Sequence, residues 1–139
     1  MMRQAPESRF PITIVPEDID ELDHVNNAVY LRWVQTVVVA HWERLGSPEW
    51  TASHLWVALR HEIHYRSAVE MTDRVSAIVR VVTVKGVRAT FTTKFVRTGD
   101  LVAHAESDWC CLDVLTRRPK RISADIANRF LGSDGAALA

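Results

Sequence analysis

An α+β fold, in which one antiparallel sheet covers one long helix, follows from three features of the 139-residue sequence. One stretch carries apolar residues at helical spacing on two adjoining stripes. Later stretches alternate apolar and polar residues with period two. No internal repeat or shift in composition divides the chain, so residues 1–139 read as one domain.

Arg9 to Val15 reads as the first strand, with Pro11 and Pro16 near its ends, where a residue lacking an N–H does least harm to a ladder. Asp18 to Asn26 is a polar loop. Between Asn27 and Leu45 propensity and periodicity disagree. The valine-rich run Thr36 to Ala40 favours a strand. Tyr30, Trp33, Val34, Val37 and His41 nevertheless recur at helical spacing, with Leu31, Val38, Trp42 and Leu45 beside them. Periodicity decides for a helix of roughly 28 Å, buried because apolar residues fill most of its circumference. Asn26 and Asn27 supply the N-cap, and Gly46, Ser47 and Pro48 the stop.

The strands follow. Val57, Leu59, Ile63 and Tyr65 alternate with Arg60, Glu62, His64 and Arg66. The same pattern recurs over Arg74–Val81, Val87–Phe95 and Leu101–Trp109, which is the signature of an antiparallel sheet with one buried face. Lys85-Gly86 and Arg97 to Asp100 read as hairpin turns. Ser123 caps a short closing helix that ends at Leu131, and the tail from Gly132 is expected to be loose.

Lys plus Arg equals Asp plus Glu, giving a formal charge of zero. A nucleic-acid binder, which must neutralise phosphates, is therefore disfavoured. The two cysteines, Cys110 and Cys111, are neighbours, and a bridge between them would be strained and close no useful loop. They read as reduced thiols, which fits a cytoplasmic protein. No signal-peptide pattern and no apolar run of membrane-spanning length is present.

The stretch DELDHVNNAVYLRW, Asp20 to Trp33, crowds polar residues at the entrance to the buried helix. Asp20 reads either as an ordinary turn or cap residue or as a functional carboxylate. The second reading has a physical basis, because a helix N-terminus offers unpaired N–H groups and partial positive charge. Such groups stabilise an oxyanion, and a carboxylate beside them can act as base or nucleophile on a carbonyl held there.

The longer stretch DIDELDHVNNAVYLRW resembles the motif D-x-D-x-x-G-H-V-N-N-x-x-Y-L-x-W of hotdog-fold acyl-CoA thioesterases of the 4-hydroxybenzoyl-CoA thioesterase group. The matching residues are Asp18, Asp20, His24, Val25, Asn26, Asn27, Tyr30, Leu31 and Trp33, and the later stretches EIHYRSAV and VLTRRPKRIS are similar to strands of that family. The resemblance implies the hotdog fold, hydrolysis of an acyl-CoA thioester, and no cofactor or metal. It implies Asp20 as catalytic carboxylate and the Asn27 backbone N–H as the group polarising the thioester carbonyl. His24, Asn26 and Tyr30 fall at positions that shape the loop and contact substrate. It further implies a homodimer or homotetramer with active sites using both subunits. The alternatives are an acyl carrier protein thioesterase and a non-catalytic acyl-binding or dehydratase-like hotdog protein. A dehydratase usually needs a His and acid pair across the dimer, and only His24 is offered here.

Two departures matter. The motif glycine is Asp23, and a helical Glu used by other hotdog branches is absent, with Gln35 and Thr36 in its neighbourhood. Asp20 is left as the matched carboxylate. The basic run Arg117, Arg118, Lys120 and Arg121 reads as a solvated turn or as a contact for the coenzyme A phosphates. His61 and His64 fall on opposite faces of a strand and so do not form a metal pair. His41 reads as a core or interface histidine, and Trp56, opposite Val57 and Leu59, as an interface residue.

Overall fold

The computed structural model describes residues 4–132; residues 133–139, where the loose tail is expected, lie outside the described region. In chain order the elements are β1 (Ser8–Pro11), a 3-10 turn (Pro16–Asp18), α1 (Asn27–Leu45), α2 (Pro48–Ser53), β2 (His54–Tyr65), β3 (Val75–Lys85), β4 (Arg88–Arg97), β5 (Asp100–Asp113) and α3 (Ala124–Leu131). The strands form one sheet in the order β1-β3-β4-β5-β2, and every neighbouring pair is antiparallel. This is the hotdog fold: the sheet curls around α1, whose Tyr30, Trp33, Val34, Val37, Val38 and Trp42 are buried against it.

Packing overrides the poor helix propensity of the valines, because Val34, Val37 and Val38 are almost wholly removed from water. From the sheet, Val79, Val81, Phe91 and Phe95 meet them, and α3 closes one end with Phe130. Each fully buried side chain of this kind contributes roughly 1.5–3 kcal/mol. Gly46, which follows α1, has ordinary negative φ. It is there for space: a Cβ would lie 2.9 Å from the Trp42 carbonyl oxygen.

Three expectations need correction. β1 is shorter than Arg9 to Val15, since the chain's last bond to the sheet is from the Ile12 N–H to the Val75 carbonyl. Pro48 does not merely end α1. With Ser47 capping the Trp50 N–H, it begins the separate helix α2. The largest correction concerns β2, where Ala58 pairs with Trp109 but Arg60 pairs with Asp108, leaving Leu59 as an extra, bulged residue. The bulge reverses the alternation between its two sides. Val57 and Leu59 are therefore 43% and 46% exposed. Trp56 instead turns inward, with its ring 5.4 Å from Trp42 and 5.8 Å from Phe130. It packs against the core and does not point outward, as the expected alternation had it. His61 lies beside the buried Trp109, while His64 is on the outer face, stacked on His104. As expected for a core histidine, His41 is fully buried.

Candidate active site

Asp20 stands seven residues before Asn27 in sequence, and a small hairpin brings it back to the helix start. Ile19 and Val25 form an antiparallel bridge, and the Asp20 N–H donates to the His24 carbonyl at 2.9 Å. Asp23 takes the left-handed corner of this turn, with φ of 62°. That conformation explains the glycine of the motif; aspartate is among the few other residues that adopt it readily.

Beneath the hairpin, Asp18 is 1% exposed. Its carboxylate accepts hydrogen bonds from the Val15 N–H at 3.1 Å and the Arg32 guanidinium at 2.7 Å, tying the 3-10 turn to the second turn of α1. Its carbonyl accepts the Asn26 N–H, and the Val69 carbonyl accepts the Val25 N–H. On the far wall Arg97 donates to the Ala68 carbonyl and the Asp73 carboxylate, fixing the segment after β2.

Between these walls lies a cleft of about 500 Å³ lined by Asp20, His24, Asn26, Asn27 and Tyr30 together with Leu22, Val25, Tyr65, Arg66, Ser67 and Ala68. The five residues that the motif placed at the site all line this one cleft. The Asp20 Oδ1 accepts the Leu22 N–H at 2.9 Å; its Oδ2 takes no hydrogen bond from the described residues. Asn26 is the true N-cap, its Oδ1 accepting the Ala28 N–H at 2.9 Å. The Val29 N–H donates to the Asn26 carbonyl. The Asn27 N–H is left without a partner among the described residues, at the positive end of the helix dipole.

Tyr30 is a wall of the site. Its ring packs edge-on against Trp33, Tyr65 and Phe95, and burial first, then the neighbouring Tyr65, push its phenol up to about 12. It therefore stays protonated at neutral pH. Gln35 and Thr36 are exposed, away from the buried face of α1. Among the described residues no group of three His, Cys, Asp or Glu side chains could hold a metal ion.

Tyr65, Arg66, Ser67 and Ala68 escaped the sequence reading because only their place in the fold brings them to the cleft. The basic run does not reach it within the chain. His54 pairs with Asp113 at one end of β2 and Tyr65 with Ala103 at the other. The turn carrying Arg117 and Arg118 follows Asp113, so the 12 residues of β2, roughly 36 Å, separate it from the cleft.

A sheet wrapped on one helix thus holds a carboxylate and an unpartnered helix-start N–H in one cleft. The family model described as the thioesterase-like superfamily matches residues 14–130, and the chain belongs to that superfamily. Cleavage of thioesters is the chemistry it is named for. No curated protein matches the sequence. Among solved structures, the chain is similar to a thioesterase from Thermus thermophilus complexed with coenzyme A and zinc, at 24% identity over 96% of this chain and 98% of that one, with a TM-score of 0.78. It is similar to the DHNA-CoA thioesterase of Staphylococcus aureus at 14% identity over 83% and 80% of the two chains, TM-score 0.73. A hypothetical protein from Staphylococcus aureus in complex with CoA shares 16% identity over 91% and 83%, TM-score 0.77. At these identities the likeness establishes the shared fold.

Proposed function

We propose that this protein hydrolyses an acyl-CoA thioester to a free carboxylic acid and coenzyme A, with Asp20 as catalytic carboxylate and the Asn27 N–H as the group polarising the carbonyl. The observation that carries this reading is the unpartnered Asn27 N–H in the same cleft as a carboxylate with one uncommitted oxygen. A carbonyl oxygen resting on that N–H gains negative charge as its carbon becomes tetrahedral. A donor fixed beforehand stabilises the charge without reorganising.

Asp20 then acts in one of two ways. As general base it takes a proton from water while the water oxygen bonds to the carbonyl carbon; collapse expels the coenzyme A thiolate, which picks up a proton. As nucleophile it bonds to the carbonyl carbon itself and expels the thiolate. The resulting acyl–aspartyl anhydride is cleaved by water. His24 and Asn26 hold the loop and helix cap around the substrate, and Tyr30 provides an uncharged wall.

The working unit is proposed to be at least a dimer. β2 is an edge strand of 12 residues, with no strand on its outer side among the described residues, and Val57 and Leu59 are exposed along it. Such edges are normally covered. Antiparallel pairing of β2 with a second β2 on a twofold axis would carry the partner's basic turn toward this cleft, which supports a role for Arg117 and Arg118 at the coenzyme A phosphates. The buried free thiols Cys110 and Cys111 favour a reducing, cytoplasmic compartment, and no described helix is long and apolar enough to cross a membrane.

A panel of aliphatic and aromatic acyl-CoAs, followed with a thiol reagent, tests the reading. Release of thiol from at least one acyl-CoA is expected. Turnover of acyl carrier protein thioesters alone would replace the substrate class, and no turnover of either would leave an acyl-binding protein.

A further inference from the structure

The first peptide of α1 is held at both ends. Its N–H, from Ala28, donates to the Asn26 side chain, and its carbonyl, from Asn27, accepts the Tyr65 hydroxyl at 2.9 Å. The second contact spans 38 residues of sequence and joins the end of β2 to the helix start. The preceding residues are pinned as well, through the Asp18 and Val69 carbonyls. Asn27 thus sits between fixed peptides, and the tyrosine closes the set. The Tyr65 ring also stands 5.2 Å from Tyr30 and lines the cleft.

We propose that Tyr65 is a positioning residue: its hydroxyl holds the Asn27 carbonyl so that the adjacent Asn27 N–H keeps the orientation in which it receives the substrate oxygen. This inference rests on the reading of Asn27 as the polarising group. A helix end is free to fray in its first turn, and a donor that must find its orientation during reaction loses much of its effect. Tyr65 removes that freedom from the sheet side, while Asn26 removes it from the loop side. Burial raises the Tyr65 phenol above its ordinary value, so the hydroxyl keeps its proton and remains a donor at neutral pH. The residue is 44% exposed. Water therefore replaces the lost bond in a phenylalanine variant, and the fold loses little.

The test compares Tyr65→Phe with Asp20→Asn and the parent protein on one acyl-CoA that the parent cleaves. Tyr65→Phe is expected to lower kcat about tenfold, with KM within about twofold and Tm within about 3 °C, because the bond is lost where transition-state charge is stabilised and not where substrate is bound. In the Asp20→Asn background, the carbonyl stretch of a bound aroyl-CoA measured by Raman spectroscopy is expected to move back toward its solution value when Tyr65→Phe is added. Unchanged kcat in Tyr65→Phe, or a rise in KM alone, overturns the proposal, as does an unchanged carbonyl stretch. Full activity in Asp20→Asn would overturn the underlying mechanism instead, and the two failures are thereby distinguished.

Discussion

Two aspartates two residues apart do different work. Asp18 is buried and bonded on both oxygens; Asp20 is half-buried and holds one oxygen in reserve. Asp18→Ala leaves the Val15 N–H without its partner and cuts the tie to the largely exposed Arg32, and a loss of about 1–3 kcal/mol in stability is expected from urea unfolding. A second prediction concerns His41. The Ser8 hydroxyl accepts from Arg44 and shares a hydrogen bond with the His41 Nδ1. Burial, then the Arg44 charge, lowers the imidazole from 6.5 to about 4. Between those values the unfolded chain binds a proton that the folded chain refuses. His41 thus contributes stability that is complete above the unfolded value and is lost as pH falls toward the folded one. The urea midpoint should drop between about pH 7 and about pH 5, and His41→Leu should flatten that slope. An equal slope in the variant assigns the pH dependence to other groups. At this scale the sequence told which residues would gather better than it told their geometry. Asp20, His24, Asn26, Asn27 and Tyr30 share a cleft as their motif implied, but nothing in the string showed that Asn26 alone is the cap or that Asp23 takes a positive φ.

Among the elements, α1 was legible to the residue, since nineteen residues of consistent periodicity outweigh a local valine run. β2 was not. A bulge costs one residue and leaves no compositional mark, yet it reverses the facing of one half of the strand against the other. The reversal makes a testable distinction along one strand. Trp56→Ala opens a cavity against Trp42 and Phe130, with an expected loss of about 3 kcal/mol. Val57→Lys should change chain stability by only about 0.5 kcal/mol. A loss below about 1 kcal/mol in Trp56→Ala would mean that Trp56 is not packed against the core. α2 was missed for a related reason: six residues are too few for periodicity to show, and Pro48 reads equally well as a stop or a start.

For the whole molecule, the uncovered β2 edge and the distance between cleft and basic turn point to the same assembly. Light scattering should give about twice the chain mass of 15.8 kDa or more, and Val57→Lys combined with Leu59→Lys should shift it toward the monomer. A wild-type monomer would remove the route by which Arg117 and Arg118 reach an active site. If they do reach one, Arg117→Ala with Arg118→Ala raises KM while kcat holds, because contacts to a remote phosphate are lost equally in ground and transition states. The effect should shrink in high salt. Mixing that variant with Asp20→Asn protein should then restore activity, since one mixed site carries both intact halves.

The most direct measurement is the turnover of Asp20→Asn on an acyl-CoA that the parent protein cleaves, with circular dichroism to establish the fold. The substitution keeps the size of the side chain and its bond to the Leu22 N–H while removing the base and the charge. A carboxylate acting as base or nucleophile requires kcat to fall at least about a hundredfold, with KM and Tm nearly unchanged. A folded Asp20→Asn protein turning over at close to the parent rate would contradict it.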